Sequence, residues 1–209
     1  MQIKPIGIIH SPFREATGTP IQPRPAEGVE GTAEVFDEFV PGLRDLEGLE
    51  RIWLLYWFDR ARFEECGLVV KPYLDNTEHG VFATRAPARP NPIGMAAVRL
   101  LEVRENRLAV QGVDILDRTP LLDIKPYAPQ FDCFEVLRSG WLKDHVLGKT
   151  VADNRFDKEY VRGFCRVPAD RAHILVVPRA ALPSDNRKNR AGCTVDHYFG
   201  RRAEKHSAE

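Results

Sequence analysis

Residues 85–113 read RAPARPNPIGMAAVRLLEVRENRLAVQGV. The second half holds two apolar runs, Met95 to Val103 and Arg107 to Val113, on either side of the polar pair Glu105-Asn106. That pattern predicts a β-hairpin. Ahead of it stand Pro87, Pro90, Pro92 and Gly94. A plain turn needs one proline and one glycine. The excess predicts a stiff corner, because each proline fixes its φ and removes a backbone donor, so the loop loses little entropy on folding. Such a corner would hold Arg85 and Arg89 in place, where a planar guanidinium binds a carboxylate or phosphate in two-pronged fashion. The plain alternative is a stiff surface loop with solvated arginines.

Outward from this stretch, short strand-like segments recur. Ile3 to His10, Gly31 to Phe36, Arg51 to Phe58 and Val81 to Thr84 precede it, and Leu121 to Ile124 follows. Pro41 to Leu49 reads as a short helix, with proline at its start and Leu43, Leu46 and Leu49 at helical spacing. Many short strands, loops rich in proline and glycine, and one clear helix predict a mainly β fold, an antiparallel sheet closing into a barrel. Strands and long helices do not alternate, which argues against a parallel doubly wound sheet. After about residue 140 the pattern changes: Trp141 to Gly148 reads as a short helix and Ala172 to Val177 as a strand. The chain is thus expected to divide into a barrel domain, 1–140, and a small α+β C-terminal extension, 141–209. From Arg179 to Glu209 seven Lys/Arg stand against four Asp/Glu, a basic tail whose end is expected to be flexible.

With 209 residues, 43% of them hydrophobic, the chain can build one full core. Its formal net charge of +0 means that nucleic-acid binding must come from a local patch. The longest apolar run, Ile52 to Phe58, is far too short to cross a bilayer. Cysteines 66, 133, 165 and 193 form no CxxC pair, and the N-terminus does not read as a signal peptide, so a cytoplasmic setting is expected. Cys165, His173, Cys193 and His197 can be assembled into a zinc site on paper, but their spacing matches no common module and no metal is expected.

The familiar catalytic signatures are missing. No two glycines are separated by a single residue, so there is no GxGxxG cradle, and Walker A, GxSxG and HExxH are also absent. What remains besides the corner is an aspartate-rich turn, in which Asp114, Asp117 and Asp123 flank Thr119-Pro120. Turn chemistry alone accounts for these residue types. The functional alternative is a group of carboxylates at a strand end, able to hold an amino or hydroxyl group of a ligand.

Several blocks together resemble one family. FATRAPARPNPIGM (82–95) resembles the signature of the TsaA-like (TrmO-type) proteins, and LLDIKPY (121–127) their second block. PIGIIHSPF (5–13) resembles their opening strand and GLRDLEGLERIWLLYWF (42–58) their helix–strand segment, in the same order. The resemblance covers roughly residues 3–140. It implies a six-stranded-type, non-Rossmann β-barrel methyltransferase that uses S-adenosylmethionine. The implied substrate is N6 of threonylcarbamoyl-adenosine beside the tRNA anticodon, and the implied assembly a homodimer.

Carried over by position, the cofactor contacts fall on Pro20, Ile21, Gln22, Asp59, Arg60, Arg89, Leu100, Asp117, Arg118, Thr119 and Pro120. The family often has His-Gln in place of Asp59-Arg60, and glycine in place of Arg118. Arg85, Asn91, Lys125 and Tyr127 are the substrate-side candidates, with Tyr127 or Phe131 able to stack on a base or simply to pack in the core. Asp117 and Asp123 are the candidates for accepting the N6 proton. Two alternatives stay open: a same-fold methyltransferase for another RNA or a small molecule, and a non-catalytic S-adenosylmethionine-binding module.

Overall fold

The structure, a computed structural model, describes residues 2–23, 26–61, 67–145, 151–153 and 155. Eight strands follow in chain order: β1 (Gly7–His10), β2 (Glu30–Val35), β3 (Arg51–Trp57), β4 (Val69–Val70), β5 (His79–Gly80), β6 (Ile93–Arg104), β7 (Arg107–Gln111) and β8 (Thr119–Pro126). β4 and β5 form a separate two-stranded ribbon, and the other six close into an antiparallel barrel in the order β1-β2-β7-β6-β3-β8. The expected mainly β, antiparallel barrel is therefore what forms.

Period-two alternation builds it. Ile52, Leu54 and Tyr56 of β3, Ala96, Val98 and Leu100 of β6, and Leu108 and Val110 of β7 are buried together with Ile9, Val35 and Leu121 in one core. Closing so narrow a barrel demands places without a side chain. A Cβ on Gly7 would stand 2.2 Å from the Glu34 carbonyl oxygen across the β1–β2 pair. Gly94 faces Tyr56 in register, and a Cβ there would lie 2.2 Å from Tyr56 Cε2, so the phenol ring occupies the space above the glycine. Register shifts at Leu55/Tyr56 and at Leu100/Glu102 add the local bend that closure needs.

Three expected elements differ. The helix over Pro41 to Leu49 is instead two 3₁₀ turns, Asp37–Leu43 and Leu46–Gly48. Pro41 lies inside the first and lacks a donor, and Asp45 between them takes φ 65, which no α-helix can pass. The leucine spacing reflects packing, since Leu43, Leu46 and Leu49 pack against the core. The strand over Val81 to Thr84 is a 3₁₀ turn, Val81–Ala83, closed by Thr84 Oγ1 donating to the Val81 carbonyl. Trp141 opens no α-helix but lies in the 3₁₀ turn Gly140–Asp144. A single helical turn, α1 (Pro129–Asp132), follows β8. The strand expected over Ala172 to Val177, the paper zinc set and the basic tail lie outside the described residues.

Trp141 and Arg155 contact the segment 72–83. The Trp141 ring stacks on His79 at 4.2 Å and its Nε1 donates to the Ala83 carbonyl at 3.0 Å. Arg155 donates to the carbonyls of Pro72 and Asp75, to Asn76 Oδ1 and to the Asp153 carboxylate. His79 Nε2 lies 2.9 Å from Asp75 Oδ2, and this hydrogen bond is the main cause holding the Asp75 carboxyl well below the usual carboxylate range.

Candidate functional site

The barrel register puts the chemistry-bearing segments on one rim. β1, β3 and β7 end there, and β2, β6 and β8 begin there, as the pairs His10↔Thr32, Ile9↔Thr119, Trp57↔Ile93 and Glu30↔Gln111 show. The Pro20–Gln22 segment, Asp59-Arg60, the corner 84–92 and the turn 112–118 all leave from this rim.

The corner is braced from within. Arg89 Nη1 donates to the Thr84 carbonyl at 3.2 Å, and Thr84 Oγ1 accepts the Ala86 amide at 3.3 Å. The Phe58 amide donates to the Pro92 carbonyl at 2.8 Å, which ties the corner to the end of β3. Arg85 reaches across the rim, with Nη1 donating to Gln22 Oε1 at 2.7 Å. The sequence alone places these two residues 63 positions apart.

The aspartate turn is pinned as firmly. Ser11 Oγ donates to the Ile115 carbonyl at 2.5 Å, the Asp117 amide to Phe13, and the Arg118 amide to Ile9. Asp117 Oδ1 accepts the Ser11 amide at 3.3 Å and lies 3.6 Å from His10 Nδ1. Arg60 donates to the Asp117 carbonyl and lies 3.8 Å from Asp59 Oδ1. Thr119 is buried, its hydroxyl donating to the Leu116 carbonyl at 2.7 Å. Arg118 adopts φ 64. Glycine takes that left-handed conformation at least cost, which is a backbone reason for glycine at this position in the TsaA-like pattern.

The rim thus unites Gln22 with Arg85, and Asp59-Arg60 with the turn 117–120. Arg89 and exposed Asn91 sit in the corner, and Pro20 bridges to Val151. Other candidates lie elsewhere. Leu100 is part of the barrel core, its amide donating to the Glu50 carbonyl. Lys125 and Tyr127 belong to the opposite end of the barrel: the Tyr127 amide donates to Arg51, the first residue of β3, and its ring packs on Trp53 at 5.5 Å. Asp123 is engaged by Lys125 at 2.8 Å and by the Ile124 amide at 2.9 Å. Phe131 is 77% exposed, outside the core.

Two rim residues stand out beyond the positions carried over from the family: Asp114, named in the sequence only as one of three turn carboxylates, and Tyr56, which no sequence signal marked. Asp114 Oδ1 is enclosed and accepts no hydrogen bond. Burial pushes the Asp114 carboxyl up to about 7, against the opposing pull of its own backbone and of Arg85. Burial also drives the Tyr56 phenol well above its ordinary range, and the charge of Asp114 adds to that while Arg85 opposes it. Asp114, Tyr56 and Arg85 therefore form one electrostatic unit at the barrel mouth. Asp114 and Asp117 of the turn and Asp123 of β8 look alike in sequence, and only enclosure separates them.

Residues 8–133 match the family described as TrmO_N, tRNA-methyltransferase O N-terminal domain. A Pyrococcus abyssi protein described as "Probable S-adenosyl-L-methionine-binding protein" is 57% identical over 155 residues, 73% of this chain and 83% of that one. The Archaeoglobus fulgidus "S-adenosyl-L-methionine-binding protein" is 45% identical over 137 residues, 66% of this chain and 96% of that one. The crystal structure of TrmO from Pseudomonas aeruginosa is similar with a TM-score of 0.56 at 40% identity, covering 66% of this chain and 61% of the solved one.

Proposed function

The chain belongs to the tRNA-methyltransferase O N-terminal domain family, and from that premise we propose that it methylates N6 of threonylcarbamoyl-adenosine in tRNA. Its cofactor is S-adenosyl-L-methionine, which relatives at 57% and 45% identity are named for binding. The observation that carries the reading is the Arg85–Gln22 hydrogen bond, which draws the corner and the proline–glutamine segment into one wall.

The rim fits the cofactor chemically. S-adenosyl-L-methionine offers a carboxylate, an ammonium, a sulfonium and ribose hydroxyls. Arg60 and Arg89 suit the carboxylate. Asp59 and Asp117 suit the cationic groups and hydroxyls. Gln22, Asp59, Arg60, Arg89 and the turn Asp117–Pro120 would hold the cofactor. When bound it supplies an already activated methyl group.

The chain's own tasks are then to orient the substrate and exclude water. The proline-locked corner keeps Arg85 at fixed reach, and its guanidinium suits the carboxylate of a threonylcarbamoyl group. Asn91, exposed beside it, completes the substrate side. A homodimer is part of this reading: Ile93, Met95 and Leu101 leave an exposed apolar row along β6 that a second copy would cover. Among the described residues no helix is long and apolar enough to cross a membrane. Work on tRNA would place the protein in the cytoplasm.

The test is incubation with methyl-labelled S-adenosyl-L-methionine and tRNA carrying or lacking the threonylcarbamoyl group. Label entering only the modified tRNA is expected. Label in neither, with cofactor binding retained in calorimetry, would identify a binding module. Label in both would shift the substrate to another RNA site.

A further inference from the structure

Among the described residues, Asp114 Oδ1 is the one enclosed side-chain polar atom without a hydrogen-bond partner. Leaving such an acceptor unmatched costs about 1–3 kcal/mol in a folded protein. Aspartates in turns ordinarily avoid this by accepting a nearby backbone amide, as Asp117 does from Ser11. The Asp114 carboxyl is held by its own backbone amide, yet its Oδ1 is left unmatched, although its surroundings are fixed. Val113 and Ile115 on either side are buried in the core, and Ser11 Oγ pins the Ile115 carbonyl. A rigid turn that keeps an acceptor unmatched is suited to a donor arriving from outside the chain.

The three aspartates of this region are not equivalent. Asp117 has its Oδ1 committed to the Ser11 amide and near His10, and Asp123 is committed to Lys125 and the Ile124 amide. Among the three, Asp114 Oδ1 is the enclosed oxygen without a partner. The titratable and charged groups that act on Asp114 are Tyr56 from β3 and Arg85 from the corner; His10, Arg60 and Asp117 share the rim and are engaged with one another.

We propose that Asp114 is a catalytic residue whose Oδ1 accepts the proton released by the substrate's exocyclic nitrogen. The inference rests on the reading of this chain as an N6-methyltransferase. As the nitrogen lone pair bonds to the methyl carbon, the carbon–sulfur bond breaks and its electron pair stays on sulfur, giving a neutral thioether. The N6 proton passes to Asp114 Oδ1 and from there to water. Burial that brings the carboxyl up to about 7 also sets its basicity close to a neutral working pH, where general-base catalysis is most effective.

The test uses the full chain, threonylcarbamoylated tRNA and S-adenosyl-L-methionine. Wild type and Asp114→Asn are compared for single-turnover methyl transfer against pH, cofactor binding by calorimetry, and carboxyl titration by NMR of protein labelled at aspartate carboxyl carbons. The expected results are a wild-type rate that falls below about pH 7, and a carboxyl signal titrating there that shifts when tRNA binds and is missing from Asp114→Asn. The variant should bind cofactor within about threefold of wild type yet transfer methyl about 10²–10⁴-fold more slowly. Transfer within tenfold of wild type would overturn the proposal. So would a loss confined to cofactor affinity with the rate at saturation unchanged, which would make Asp114 a cofactor contact. Should Asp114→Asn not fold, the wild-type carboxyl signal decides, because a signal unmoved by tRNA overturns the assignment. Wild type inactive on tRNA would sink the methyltransferase reading itself, a result distinct from an active wild type with an active variant.

Discussion

Replacing Gly94 by alanine probes the packing that shapes the barrel mouth. The new Cβ would lie 2.2, 2.4 and 2.8 Å from Tyr56 Cε2, Cζ and Cδ2, where carbon atoms rest at about 3.5–4 Å. The ring must therefore retreat by more than about 1 Å. It has little room to do so, being 5% exposed and packed edge-on against Phe58 at 5.2 Å. Overpacking of this kind costs about 1–3 kcal/mol, and the severity of the overlap puts Gly94→Ala near the top of that range. At about 2–4 °C per kcal/mol for a chain of this size, the melting temperature should fall by about 6–12 °C. Tyr56→Ala removes the obstacle, so in that background Gly94→Ala should cost less than about 0.5 kcal/mol, leaving a coupling of about 2–3 kcal/mol. Urea unfolding of the four proteins in this cycle measures it. A Gly94→Ala variant as stable as wild type, or an equal cost in both backgrounds, would show that the ring is not what requires glycine.

Asp114 also predicts a pH dependence of stability. Its folded value near 7 exceeds the unfolded value of about 3.9, so the native state binds the extra proton between them and stability falls as pH rises from about 4 to about 7, by something on the order of 4 kcal/mol. Asp114→Asn should flatten that slope in melting curves; an unchanged slope would assign it to another group. Asp75, held low, acts in a separate window: its stabilisation is present above about pH 4 and is lost as pH falls below that. Arg89→Ala should weaken cofactor binding about 10–100-fold by calorimetry, the worth of a lost charge-assisted hydrogen bond, while lowering the melting temperature by only a few degrees; equal affinity would make Arg89 a brace for Thr84 alone. Arg155→Ala leaves the Pro72 and Asp75 carbonyls without their donor, so about 2–3 kcal/mol should be lost. Hydrogen exchange over residues 72–76 should accelerate, and unchanged exchange would show that Arg155 does not hold this segment.

Much of the barrel was legible in the residues themselves. Apolar runs over Arg51 to Phe58 and on either side of Glu105-Asn106 marked β3, β6 and β7, because strand propensity and turn chemistry act over a few residues; that only Ile52, Leu54 and Tyr56 of β3 face the core emerged in the folded barrel. The prolines of the corner announced a rigid loop for an equally local reason, since each fixes its own φ. Leucine spacing over 43–49 misled, because turns packed against the core and an amphipathic helix leave the same apolar intervals, and Asp45 at φ 65 separates the two only in the folded chain.

The sequence by itself determined a β-rich chain, a stiff cationic corner and a likeness to one family. Tertiary structure alone decided which candidates share a rim: it set Gln22 beside Arg85, left Lys125 and Tyr127 at the far end, and isolated Asp114 from Asp117 and Asp123. The physical reason is range. Alternation and proline act over a few residues, whereas barrel closure, register and the enclosure of one carboxyl oxygen depend on strands far apart in the chain, brought together only when the last pair is made.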